Sequence, residues 1–232
     1  MKRVLVACEE SGVVTERLRK EGIEAYSCDI IETSGSHPEW HIQQDVLPLL
    51  SGNCSFKTCD GEFHCIDGKW DAILAFPPCT YITIAANKYY DEERYGDKAR
   101  ERKKKREEAC EFFMKFINAD CEHIAVENPV GVMNTRYRKP DQIINPYEFG
   151  HPVSKKTCLW LKGLPLLKPT QIVEPERIHS KGRTGGYSGA SWFCRDENGK
   201  ILSWRDPRTA KIRSKTYDGI AEAFATQWKD FI

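Results

Sequence analysis

Two short apolar runs in this chain each stop at a proline-bearing loop, and that arrangement restricts the fold more than any other feature. The first run is Ala72-Ile73-Leu74-Ala75-Phe76, followed by Pro77-Pro78-Cys79-Thr80-Tyr81. An apolar run without alternation reads as a strand buried on both faces, the pattern of a parallel sheet. Proline has no N–H to give to a sheet ladder, so Pro77-Pro78 end the strand and stiffen the loop after it. The second run, Ile124-Ala125-Val126, leads into Glu127-Asn128-Pro129. A rigid loop at the carboxyl end of a parallel strand is where open α/β sheets place their chemistry. Cys79 therefore stands where a nucleophile is presented. Glu127 puts a carboxylate one element further along, at the same edge.

The remaining segments supply the rest of such a sheet. Residues 2–8 read as a first strand and Cys8-Glu9-Glu10-Ser11-Gly12 as a turn. Thr15 to Glu21 is a short helix with Gly22 as its C-cap, and Ile23 to Cys28 is a second strand ending in Asp29. Asp29 lies about 20 residues beyond the turn, a spacing that suits a carboxylate on the ribose of a nucleoside cofactor and equally an acid that closes a strand. His41 to Leu47 reads as a short strand with Asp45 at its end, either an acceptor for an adenine amino group or a helix cap. Residues 51–69 are an insertion in which Asp60-Gly61, a hairpin turn dipeptide, separates Phe56–Cys59 from Glu62–Ile66. The spacing of its cysteines and His64, C-x4-C-x4-H-C, is not a common zinc pattern, so the insertion reads as a decorative hairpin.

A helix over roughly Asp97 to Asn118 has a basic first half, Lys98 to Arg106, and an apolar second half. The charge run reads as a solvated face, with phosphate contact as the alternative. Arg136-Tyr137-Arg138 is a basic loop, Lys155 to Leu161 a further strand, and Gly219 to Trp228 an amphipathic helix. Between Glu176 and Thr209 the composition shifts to Gly, Ser, Arg and Trp, which reads as a flexible loop suited to a polyanion or a lid. A net charge of +1 over 232 residues advertises no global affinity for nucleic acid, so any such surface is a local patch. With no run of about 18 apolar residues and no signal peptide, a reducing, cytoplasmic setting and unpaired cysteines are expected. No repeat or linker divides the chain, which reads as a single catalytic domain over 1–232.

A thiolate and a carboxylic acid at one sheet edge permit a specific reaction. The thiolate adds to carbon 6 of a pyrimidine while the acid holds ring nitrogen 3, and the resulting enamine attacks an electrophilic methyl group from carbon 5. The base must lie outside the helical stack for this. Phe76-Pro77-Pro78-Cys79 and Glu127-Asn128-Pro129 resemble the fourth and sixth motifs of the DNA cytosine-5 methyltransferases. Glu10-Ser11-Gly12 is similar to a reduced first motif, Asp29 to the second and Asp45-Val46 to the third. Lys215 to Ala221, with Gln227-Trp228, is similar to the C-terminal motif that packs beside the cofactor. Lys156 to Leu161 and Gly163-Leu164-Pro165 look like the compact members carried by phages and prophages.

That resemblance implies a Rossmann-like α/β fold of class I S-adenosylmethionine-dependent methyltransferases, with a mostly parallel sheet, helices on both faces and one antiparallel strand near the end. It implies Cys79 as nucleophile and Glu127 as acid. Cys8, Ser11, Gly12, Asp29, Asp45 and Pro77 would line the S-adenosyl-L-methionine pocket. DNA would be the partner, with Asn128, Arg136, Arg138 and Lys156 on the substrate side. Three departures stand out. The first motif keeps a single glycine, Gly12; the loop after the cysteine continues unusually as Thr80-Tyr81-Ile82; and only residues 176–212 remain for target recognition. Sequence readout needs several base-edge contacts, so relaxed or very short specificity is expected, or a protein partner that supplies it. The alternatives are an RNA or amino-group methyltransferase, a related enzyme using a modified cofactor, and a non-catalytic nucleic-acid-binding remnant of the fold.

Overall fold

Alternation along the first strand divides the core in two. In the computed structural model, which describes residues 2–182, 185–190, 195–203 and 206–232, β1 (Arg3–Ala7) sends Val4 and Val6 to one face of a sheet and Leu5 and Ala7 to the other. The chain continues through α1 (Val13–Lys20), β2 (Glu24–Asp29), β3 (His41–Gln43), β4 (Cys54–Lys57), β5 (Phe63–Ile66) and β6 (Ala72–Ala75). Then come α2 (Glu92–Tyr95), α3 (Asp97–Ile117), β7 (His123–Pro129), α4 (Met133–Arg136), β8 (Gln142–Ile144) and β9 (Thr157–Lys162). The last elements are β10 (Arg177–Gly182), β11 (Gly185–Ala190), α5 (Pro207–Ser214) and α6 (Asp218–Trp228).

Seven strands form one sheet in the order β3-β2-β1-β6-β7-β9-β8. Neighbours from β3 to β7 are parallel, and β9 runs antiparallel to both β7 and β8. This is a Rossmann-like α/β sheet, mostly parallel with a single reversed strand, the arrangement expected from the sequence resemblance. Val14 and Leu18 of α1 and Phe224 and Trp228 of α6 pack with Val4 and Val6 on one face. Phe113 and Phe116 of α3 pack with Leu5 and Trp160 on the other. Both faces of β6 are thus covered, which is why Ala72–Ala75 shows no polar alternation.

The β4–β5 hairpin sits outside the main sheet and turns at Asp60-Gly61. Phe56 is buried between Tyr26 and Trp70, and His64 is committed inside the hairpin, its two ring nitrogens within 3.1 Å of Tyr26 Oη and Thr58 Oγ1.

Three sequence expectations need correction. The stretch expected to be a flexible loop contains a two-stranded hairpin, β10–β11, closed by the pair Gly182 and Gly185, and a helix, α5. The helix has its own start signal: Asp206 caps it by accepting from Arg208 N at 3.0 Å, and Pro207 takes the first turn. Residues 183–184, 191–194 and 204–205 of the expected recognition region lie outside the described residues. Arg136 closes α4 rather than lying in a loop. The strand carrying Asp45 ends earlier, at Gln43, and Asp45 Oδ1 instead accepts from Leu47 N at 3.0 Å to start a 3-10 turn. Among the described residues no helix is long and apolar enough to cross a membrane.

Candidate active site

Strand register brings the scattered candidates together. Ala7 pairs with both Cys28 and Ala75, and Ala75 pairs with Val126, so the four residues form one row across β2, β1, β6 and β7. The next residues, Cys8, Asp29, Phe76 and Glu127, therefore lie at the same edge; Cys8 and Phe76 are past their strands, while Asp29 and Glu127 still pair with Gln43 and Leu159. The strand order reverses at β1, and the crevice beyond the carboxyl ends at such a switch point is where ligands enter open α/β sheets.

On the β1–β2 side, Cys8 takes a left-handed backbone (φ 59°) that turns the chain sharply off the strand. Burial raises its thiol pKa, and the charges of Asp29 and Asp45 act in the same direction, which places both carboxylates around it. Asp29 Oδ1 accepts from Ile31 N at 3.2 Å, and the neighbouring Ile30 is 73% exposed beside it. Gly12 supplies a positive φ of 68° at the start of α1. Ser11 is buried, and the chain at Gly35 passes so close that an added Cβ would lie 2.8 Å from the Ser11 carbonyl oxygen.

Glu9 is the residue that sequence reasoning missed on this side. It is buried and accepts from Val14 N at 2.6 Å, Thr15 N at 3.3 Å and Thr15 Oγ1 at 2.7 Å. Its carboxylate thereby occupies the amino end of α1, the usual seat of a cofactor phosphate in a strand–turn–helix unit. A pyrophosphate-bearing cofactor finds that seat taken. The edge beyond it is made of the Asp29 and Asp45 carboxylates and the exposed Ile30.

Burial pushes the Glu9 carboxyl up to about 7, against the hydrogen bonds from Thr15 and Val14. A carboxyl raised in the folded state binds its proton there more readily than in the unfolded chain, so folding stability falls as pH rises from about 4.5 to 7. Relative to Glu9→Gln, which does not titrate, the wild-type chain should lose about 3 kcal/mol across that window, read from urea unfolding at several pH values. Parallel pH dependences for the two proteins would contradict this.

On the β6–β7 side, the two proline loops are joined. Asn128 Nδ2 donates to the buried Pro77 carbonyl at 2.8 Å and to Glu127 O at 3.0 Å. Ile84 N donates to Val130 O at 3.1 Å and Val132 N to Ile82 O at 2.8 Å. The approach is tight enough to need glycine at 131, where a Cβ would fall 2.1 Å from the Ile82 carbonyl oxygen. Cys79 and Glu127 are both partly buried in the corner so formed. Burial and the facing Glu127 charge hold the Cys79 thiol above its ordinary value, while Lys155 and Arg213 oppose this. Burial likewise raises Glu127, with Lys155 again opposing. Glu127 and Lys155 line a cleft with Phe76, Thr157, Tyr217 and Phe224.

Lys155 is the second residue the sequence reading missed. Its Nζ donates to Arg213 O at 3.0 Å, tying the approach to β9 to the end of α5. The neighbouring Lys156 is exposed, and its charge acts on Cys158 instead. Arg136 is ion-paired with Glu107, and Arg138 with Asp141 at 2.7 Å. The cations that act on Cys79 are Lys155 and Arg213. Asn128 is a staple between the loops, and its Oδ1 is buried with no partner among the described residues.

No family model and no curated protein matches the chain. Solved structures similar to it include an Escherichia coli prophage protein assigned as a DNA modification methyltransferase, at 13% identity and a TM-score of 0.43, covering 75% of this chain and 53% of that one. Dnmt2 methyltransferase of S. pombe is similar at 13% identity and TM-score 0.35, covering 69% and 48%. A Spodoptera frugiperda DNMT2 mutant is similar at 15% identity and TM-score 0.37, covering 75% and 55%. The chain spans about half the length of the structures it matches.

Proposed function

We propose that this chain transfers a methyl group from S-adenosylmethionine to carbon 5 of cytosine in DNA through a covalent bond to Cys79. The observation that carries the reading is the partly buried corner holding the Cys79 thiol and the Glu127 carboxyl together, with Lys155 beside both. When bound, the cofactor supplies an electrophilic methyl group. Asp29, Asp45 and Cys8 would hold it on one side of the crevice and Phe76 and Pro77 on the other. Glu127, whose carboxyl burial raises above its ordinary value, donates to ring nitrogen 3 of a cytosine seated in the corner. Cys79 Sγ bonds to carbon 6, and the electron pair displaced onto carbon 5 takes the methyl group. Loss of the carbon 5 proton to water then expels the thiolate, ring nitrogen 3 returns its proton to Glu127, and the aromatic ring is restored. Lys155 favours the ionised thiol, which burial and Glu127 disfavour.

Incubation with tritiated S-adenosylmethionine and unmodified DNA, followed by nucleoside analysis, tests this. Label in 5-methylcytosine is expected. Label on the exocyclic amine, or none on DNA while cofactor is bound, would contradict the reading. Asp29→Ala should weaken cofactor affinity by more than about tenfold, or 1.4 kcal/mol, measured by calorimetry. Unchanged affinity would remove Asp29 from the site.

A further inference from the structure

The loop that follows Cys79 ends against a groove that the reaction above does not use. Its floor is the basic half of α3. The Arg102 guanidinium lies 4.9, 5.2 and 5.4 Å from the ring centres of Tyr81, Tyr89 and Tyr90, and Arg106 lies 3.3 Å from that of Tyr90. Arg102 also donates to Thr80 O at 3.0 Å and Arg106 to Tyr81 O at 3.1 Å, so the cluster is tied to the backbone next to the nucleophile. Arg102 Nε is buried with no partner among the described residues. Beside this cluster opens a cavity of about 390 Å³, lined by Tyr81, Tyr89, Tyr95, Lys98, Arg102 and Lys105. Glu101 also lines it and is paired with Lys105 at 2.7 Å. Tyr89 is 41% exposed, so part of it stands open.

Aromatic faces alternating with cations, next to a nucleophile that acts on an extruded base, match the chemistry of an unpaired nucleotide. Its base stacks on an aromatic ring and its phosphate meets the cations. A duplex keeps its base faces stacked on one another and cannot offer them. Tyr81 is two residues from Cys79, so the groove begins within about 7 Å of chain from it. We propose that this groove binds an unpaired nucleotide flanking the target cytosine, so that the protein prefers single-stranded or opened DNA to duplex. The proposal rests on the function proposed above.

The test uses the full chain and a fluorescein-labelled cytosine-containing DNA strand, alone and annealed to its complement, read by anisotropy. The single strand should bind at least about tenfold more tightly than the duplex. Tyr89→Ala should weaken single-strand binding about tenfold and Tyr89→Phe should restore it, because the ring face is what stacks. Lys98→Ala should reduce the slope of log affinity against log salt by about 0.7. Covalent capture of a 5-fluorocytosine strand at saturating DNA should be unchanged in Tyr89→Ala. Equal or tighter duplex binding, or single-strand binding indifferent to both Tyr89 and Lys98, would overturn the groove proposal even where capture proceeds. Tyr89-dependent binding without any capture would instead overturn the reaction and leave the groove standing.

Discussion

Replacing Cys79 by serine is expected to lower methyl transfer by more than about a thousandfold while leaving cofactor affinity within about twofold of wild type. A hydroxyl is a far weaker acid than a thiol, and the site already raises the pKa of the group at this position through burial and the Glu127 charge. An alcohol there stays protonated, and no bond forms to carbon 6. Folding should be unaffected, because the loop is held through the backbone. The Cys79 carbonyl accepts from Ile82 N at 3.1 Å and from Thr83 N at 3.0 Å, and serine keeps both bonds. Cofactor affinity should persist because Cys8, Asp29 and Asp45 belong to the other half of the crevice. Initial rates with tritiated cofactor, beside calorimetric titration of the same sample, check both halves. Full residual activity would remove Cys79 from the mechanism.

Glu127→Gln should lower turnover by about a hundredfold or more, the range for loss of a positioned acid. Glutamine keeps the shape and offers an N–H to ring nitrogen 3, but it has no proton to give up. A second consequence separates this role from a merely structural one. The Glu127 charge contributes to raising the Cys79 thiol. A neutral glutamine removes that contribution, so the pKa of Cys79 should fall. The rate of Cys79 alkylation by iodoacetamide, followed on its own peptide by mass spectrometry, should rise at a lower pH in Glu127→Gln than in wild type. Coincident pH profiles would mean that the carboxylate does not face the thiol.

The parts of the molecule that were legible in the sequence are those set by short-range rules. Ala72–Ala75 has no polar alternation because both of its faces are covered, and the prolines after it mark the strand end; the same rule fails at Pro129, where β7 runs on through Glu127 and Asn128 because β9 pairs with it to the end. Parity separates Lys155 from Lys156. Side chains two apart share a face of an extended segment, and Thr157, the first residue of β9, lines the cleft, so Lys155 joins it there and Lys156 turns away. Composition alone shows two adjacent lysines. Glu9 reads as one of two turn acids until α1 is folded back on the strand end, where Glu9 meets the N–H groups of Val14 and Thr15. The partners of Arg136 and Arg138, Glu107 and Asp141, are far or unmarked in sequence and face them only in the folded chain. In the glycine-rich stretch, the Asp206-Pro207 helix start was present in the sequence and was outweighed by loop-like composition.

The most direct measurement is mass spectrometry of the denatured protein after incubation with S-adenosylmethionine and a DNA strand containing 5-fluorocytosine. Fluorine on carbon 5 cannot leave as a proton does, so the bond between sulfur and carbon 6 should persist after methyl transfer. The expected result is a denaturant-resistant adduct located on the peptide containing Cys79, absent from Cys79→Ser. An adduct on any other cysteine, or methyl transfer with no adduct at all, would contradict covalent catalysis by Cys79.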